Sequence, residues 1–289
     1  MKKRLESDSL SFGIIVMALL LLVSSPGWAK GRVIFSEDFE SGSLEGNWVR
    51  YFEFGDSITS GFEHRPEYVH SGKSSYRLTA VERGGQESGS NIIYFFLPGE
   101  DRVFFRWYAR FAEDFDQGNL MHWVIIGGNR IDKQWSSFGE VAGTRPDGRD
   151  FFVTTLDTWR NWGRNPPPGE LLFYSYYPEM KIDRDGVHYW GNMSKPEKPF
   201  LVGRGRWYSF EVMVKLNTPG EHAGEQAFWV DGKEIHRQTG IRWRDTKDLR
   251  LNSLMLDVYI HQARQNNTCW FDDVVISTEY IGPIKDGRH

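Results

Sequence analysis

From Lys30 onward no stretch of the chain holds an i, i+3, i+4, i+7 apolar face for three turns, so the sequence offers little to build an amphipathic helix. Short runs rich in β-branched and aromatic residues recur instead, separated by clusters of Gly, Pro, Asn and Asp. The runs predict strands over Val33–Phe39, Ser75–Val81, Ser90–Phe96, Val103–Phe111, His122–Ile126, Phe151–Leu156, Glu170–Tyr177, Trp207–Leu216, Gln226–Val230, Ser253–Tyr259 and Trp270–Ser277. That many strands in one core argue for an all-β fold, a two-sheet antiparallel β-sandwich of jelly-roll type.

Period-2 alternation divides each strand into two faces. Val103, Phe105, Trp107, Ala109 and Phe111 are expected to face the core, with Phe104, Arg106, Tyr108 and Arg110 on a polar-aromatic second face. Leu254, Leu256, Val258 and Ile260 alternate with Met255, Asp257, Tyr259 and His261 in the same way. A sheet whose second face carries Arg, Tyr, His and Asp suits the floor of a sugar-binding cleft. Long loops are expected over Arg130–Asp150 and Asn161–Gly169, and loops of that length in a compact domain tend to carry function or be disordered.

The first 29 residues read as an export signal: Lys2, Lys3 and Arg4, a short apolar core over Gly13–Val23, then the small-residue context Gly27-Trp28-Ala29. The remaining residues 30–289 are of a size that all-β sandwiches fill as a single domain, expected to be secreted or periplasmic and monomeric, with no membrane contact after cleavage. Cys269 is the one cysteine and cannot form an intrachain disulfide; its lead into a strand suggests a buried thiol. The net charge of −4 and the lack of a polybasic run argue against nucleic acid as a partner. No phosphate loop, zinc spacing or dinucleotide fingerprint is present, nor a Glu-x-Asp-x-x-Glu strand of the kind paired-carboxylate glycosidases use.

The ends of the chain carry a resemblance. Ser36-Glu37-Asp38-Phe39-Glu40-Ser41-Gly42 with Trp48, His70-Ser71-Gly72-Lys73-Ser74-Ser75, and Trp270-Phe271-Asp272-Asp273-Val274 resemble the framework of concanavalin-like jelly-roll polysaccharide lyases. Within them the chain is most similar to glucuronan lyases and related cellulose-induced secreted fungal proteins, and more distantly to alginate lyases; Val103–Tyr108 followed by His122–Ile126 looks like that group's central strands. The resemblance implies a uronate-containing polysaccharide as partner, cleaved by β-elimination, with a non-catalytic carbohydrate-binding module on the same fold as the alternative. It also implies a structural calcium ion between the chain ends, held by Glu40, Ser71, Asp272 and Asp273, since calcium takes six to eight hard oxygen ligands.

β-Elimination beside a uronate carboxyl needs a group that neutralises the carboxylate, a base for the adjacent proton and an acid for the departing oxygen. Arg106 and His122, on strands expected to be adjacent, are candidates for the first role. Tyr174 and Tyr176, two residues apart and so on one face, look like the paired tyrosines of alginate lyases and are candidates for base and acid. His122 falls where that family's catalytic lysine sits, ahead of Gly127-Gly128, and the change to histidine leaves its role open between base and sugar-orienting group. Tyr259 and His261 share a strand face and complete the expected cleft. Trp123, Trp135, Trp159, Trp162 and Trp190 are candidate stacking platforms, with packing as the competing reading for each.

Overall fold

A computed structural model of the chain describes residues 31–52, 54, 60–139 and 141–285; the expected export signal lies outside the described residues. The strands are β1 (Val33–Glu37), β2 (Trp48–Val49), β3 (Gly61–Glu63), β4 (Ser75–Ala80), β5 (Ser88–Glu100), β6 (Arg102–Phe111), β7 (Leu120–Arg130) and β8 (Phe151–Trp159). They continue as β9 (Gly169–Tyr176), β10 (Asn192–Ser194), β11 (Leu201–Val202), β12 (Trp207–Lys215), β13 (Gly224–Val230), β14 (Lys233–Ile241), β15 (Leu249–Ile260) and β16 (Asn267–Ser277). A single 3₁₀ turn at Pro66–Tyr68 is the only helical element among the described residues, and none of their helices is long and apolar enough to cross a membrane.

The strands form two antiparallel sheets. The first runs β14-β13-β12-β6-β16-β4-β3 with β1 also on β16; the second runs β10-β9-β8-β7-β15-β5-β2 with β11 also on β9. Every expected strand is found, most of them longer than the apolar run that announced them. The strands that were not expected, β2, β3, β10, β11 and β14, are short or polar, and most lie toward the sheet edges, where one face and one ladder are in water and little apolar patterning is required.

One core fills the space between the sheets. Val103, Phe105, Trp107, Ala109 and Phe111 of β6 point into it as alternation requires, meeting Trp123, Val124 and Ile126 of β7 and Leu254, Leu256 and Val258 of β15. Trp107, Trp123 and Phe210 pack ring against ring at centroid distances of 4.8 to 5.9 Å. Trp123 is fully buried, which removes it from the candidate sugar platforms. Cys269 is buried in the same core, and burial pushes its thiol pKa up, so the thiol is held neutral.

The outer face of the first sheet departs from expectation. Phe104, Arg106 and Tyr108 are buried rather than wet, because the segment after β16 runs across them. The Ile281 and Gly282 amides donate to the Glu211 carboxylate, and the Ile284 amide donates to the Tyr108 hydroxyl. Arg106 lies at 6% exposure near Glu211 and 5.2 Å from the Tyr108 ring.

Candidate active site

The site is built on the outer face of the second sheet, where the side chains that alternate away from the core form a polar row across five strands. In order these are Tyr174 on β9, Asp157 on β8, His122 on β7, Asp257 and Tyr259 on β15, and Asn91 on β5. Thr155 pairs with Tyr174, Tyr259 with His122 and Asp257 with Asn91, so the row is fixed by the ladder itself. The segment 177–191 closes one side, packing Met180 and Tyr189 with Tyr174 and Tyr176. Phe52 stands against Tyr259 on the other.

His122 owes its position to an irregularity that alternation cannot foresee. Between Met121 and Val124 the register of β7 on β8 slips by one residue, and β15 slips opposite it between Leu256 and Tyr259. Bulges of this kind bend a strand and re-aim a side chain. Here the slip sends Trp123 inward and His122 outward, and it frees the Trp123 amide from the ladder. The Asp157 carboxylate takes up both consequences. Its Oδ1 accepts from the Trp123 amide at 3.1 Å, and its Oδ2 meets His122 Nδ1 at 2.9 Å. Asp157 is fully buried, so it can hold the imidazole in one orientation, with the Nδ1 proton on the carboxylate side and Nε2 left for a substrate.

Three rings surround His122: Tyr174 at 5.2 Å, His261 at 5.3 Å and Tyr259 at 5.9 Å between centroids. Tyr174 has its phenol pKa strongly raised, by burial first and by Tyr176 beside it. Tyr259 donates to Glu87 Oε2 at 2.7 Å; burial and that carboxylate raise its pKa as well. Both phenols are thus held in the proton-carrying form. Asp257 is buried and its pKa is pushed well above the carboxylate range by burial and by nearby Asp157. Asp257 Oδ1 and Asn91 Nδ2 are buried side by side, the Asn91 amide opposing the rise in the Asp257 pKa, and neither atom bonds any other described residue. His261 keeps one edge in solvent yet is packed among neighbours, and its pKa is lowered to about 4, by burial first and by His122 second.

The His261 shift has a consequence for stability. Its folded-state pKa lies below the unfolded value, so the unfolded chain takes up the proton first as pH falls, and stability drops from about pH 6.5 toward 4. His261→Gln is expected to make thermal unfolding less sensitive to pH across that window. Melting temperatures of both proteins at pH 7 and pH 4.5 check this; an unchanged difference would contradict it.

Of the residues singled out in the sequence, His122, Tyr174, Tyr176, Tyr259 and His261 come together on this face. Arg106 does not. It lies on β6 of the first sheet, which neighbours β12 and β16, whereas His122 lies on β7 of the second, between β8 and β15, with the core between them. The expectation that their strands are adjacent is corrected. Alternation gave Arg106 the right side of its strand, outward, but outward from the first sheet is the far side of the sandwich. Sequence reasoning missed Asp157 and did not use Asp257, Asn91 or Glu87; Asp157 carried a faint signal, an acid within the apolar run Phe151–Leu156 and its continuation.

The four residues expected to hold calcium gather around the loop at 70–74. Asp272 Oδ2 accepts from the His70 and Ser71 amides, Asp273 meets His70 Nδ1 and the Ser71 hydroxyl, and Glu40 Oε1 accepts from the Lys73 and Ser74 amides. Asp272 has its pKa raised to about 8, by burial first and then by Asp273, and the oxygens gathered here are hard and acidic. The chemistry fits a hard cation. As placed, however, no three carboxylate, histidine or thiol groups among the described residues stand close enough to share an ion, so calcium would have to displace some of these amide hydrogen bonds.

Comparisons with known proteins agree with this architecture. Residues 142–264, which run from the loop before β8 to just beyond His261, match the model of the family described as polysaccharide lyase 14. The fold is similar to that of the marine PL-14 alginate lyase from Aplysia kurodai, with a TM-score of 0.64 at 16% identity over 87% of this chain and 100% of that one. An alginate lyase from Chlorella virus gives a TM-score of 0.60 at 15% identity, covering 85% and 99% of the two chains. The endo-β-1,4-glucuronan lyase of Trichoderma reesei gives 0.56 at 16% identity, covering 86% and 96%. A comparison with curated protein sequences returns no match.

Proposed function

We propose, on the premise that this chain carries the fold of the jelly-roll polysaccharide lyases, that it cleaves a uronate-containing polysaccharide by β-elimination on the outer face of its second sheet. The observation that carries the proposal is the Asp157-backed His122, with Nε2 free, set among phenols that are kept protonated. An imidazole oriented by a buried carboxylate is suited to take the proton beside the uronate carboxyl. Tyr259, the more accessible phenol, is the candidate acid for the departing glycosidic oxygen, a role that requires its hydroxyl to turn from Glu87, to which it donates in the free protein. Tyr174 and Tyr176 shape the floor and orient the sugar. Arg106 is absent from this face, and Asn91 and Asp257 are buried at 2% and 1% exposure, so they support the floor of the row rather than touch the substrate.

The test is to incubate the protein with alginate, polyglucuronate and heparin and follow ultraviolet absorbance of the unsaturated uronate product. The proposal expects a rise with at least one polymer. Retention of a polymer on an affinity gel with no absorbance from any of them would instead support a binding module.

We also propose that the loop at 70–74 binds calcium as a structural ion. Millimolar calcium is then expected to raise the melting temperature and a chelator to lower it, with Asp272→Asn abolishing the difference; equal melting temperatures in calcium and chelator would refute this.

A further inference from the structure

We infer that the open pocket at the end of the second sheet is a subsite for a second uronate residue of the same polymer, with Arg264 taking its carboxylate and Trp162 its ring face. This rests on the polysaccharide reading above and extends it from the reacting residue to its neighbour. The pocket, about 570 Å³, lies where β7 begins and where β8 and β15 end, and its wall includes His261, which also belongs to the cluster around His122. The pocket and the His122 cluster therefore share one side chain. A volume of this order is that of an ordinary small-molecule site.

The pocket has the chemistry of an anionic sugar site. Two arginines line it, and they differ in what they are already doing. Arg160 is committed: its Nη1 pairs with Asp116 at 2.7 Å and donates to the Gly118 carbonyl, and its Nε donates to the Asn165 carbonyl. Arg264 is exposed and makes no hydrogen bond or ion pair among the described residues, so its planar fork of donors is available to a carboxylate. Trp162 is 76% exposed, more than any other large apolar side chain among the described residues.

Its exposure is not a loose end. Asn161 and Trp162 both lie in the left-handed region, at φ of 49° and 59°, a conformation that asparagine tolerates and that is uncommon for a residue as bulky as tryptophan. The turn is held by Asn119, whose side-chain oxygen accepts from the Trp162 amide at 2.9 Å, and by the Asn165 amide donating to the Arg160 carbonyl. Below it Gln117, almost fully buried, donates to the Thr158 hydroxyl and the Pro168 carbonyl and ties the wall to β8 and β9. An indole held outward and an unpaired guanidinium lining the same pocket supply an apolar platform and a cation, the two features that the ring face and carboxylate of a uronate call for.

The test uses oligouronates from dimer to pentamer, prepared from alginate and from polyglucuronate, together with their carboxyl-reduced neutral counterparts. Binding is measured by calorimetry on a His122→Ala background, and turnover by product absorbance on the native background. Arg264→Gln is expected to weaken binding of the longer oligouronates about tenfold and to leave the carboxyl-reduced oligomers unaffected. Trp162→Ala is expected to weaken both about tenfold. In turnover, Arg264→Gln should raise KM with little change in kcat, as loss of uniform binding does.

If His122→Ala abolishes turnover while Arg264→Gln and Trp162→Ala leave binding and KM unchanged at every length, the subsite is overturned and the lyase reading stands. If no polymer is cleaved but binding depends on Arg264 as described, the subsite stands and the catalytic reading falls. If the protein binds no oligouronate, both are overturned.

Discussion

Replacing His122 with alanine is expected to reduce cleavage of the preferred polyuronate by about 10²- to 10⁴-fold, the range a positioned general base contributes. On the proposed role of the imidazole as base, the loss should fall on kcat with little change in KM. Asp157→Asn is expected to follow in the same direction with a loss of at least about tenfold, since its carboxylate fixes the Nδ1 proton and with it the free Nε2. It should also disturb the bulge, because the same carboxylate holds the Trp123 amide. Thermal unfolding separates the effects: His122→Ala should melt close to the native protein, while Asp157→Asn should melt lower. If both variants keep full activity on a polymer that the native protein cleaves, the base has been misplaced.

The second large effect is on stability. Trp123→Ala should destabilise the fold by about 3–5 kcal/mol, because the indole is fully buried and its removal opens a cavity among Trp107, Phe111, Phe210 and Phe271 that a two-sheet core cannot collapse to fill. At about 2–4 °C per kcal/mol for a domain of this size, the melting temperature should fall on the order of 10 °C. The change should also lower activity at temperatures well below melting, since Trp123 follows His122 directly and the register slip depends on one facing in and the other out. A loss below 1 kcal/mol would mean that the indole is not packed as described.

The same bulge marks the limit of what could be read from the sequence. Strand positions and inward faces are legible because burial on one side imposes period 2, which β6 keeps over Val103–Phe111 and β15 keeps over Leu254–Ile260. That also made Tyr174, Tyr176, Tyr259 and His261 legible as a set. Alternation says which side of a strand a residue takes; it does not say in which sheet the strand lies. Arg106 was lost for that reason, and because nothing in the run Tyr280–Ile284 announces that it will cover β6.

Asp157 was hidden differently. It lies one residue past an apolar run that appeared to end at Leu156, and its importance arises only once the slip in β7 leaves an amide to be satisfied. Gly127-Gly128 was read by resemblance alone, and the structure supplies the physical reason: a side chain at Gly128 would overlap the Phe152 ring and one at Gly127 would meet Ser253 and Ser137. The edge strand β14, Lys233–Ile241, was missed because its side chains are largely exposed and carry no apolar rhythm.

Elimination and hydrolysis differ in the fate of solvent oxygen. Cleaving the preferred polyuronate in heavy-oxygen water and weighing the fragments by mass spectrometry should show no label at the new chain ends, with each new non-reducing end unsaturated. Fragments that carry one solvent oxygen per cleavage and no double bond would contradict the account.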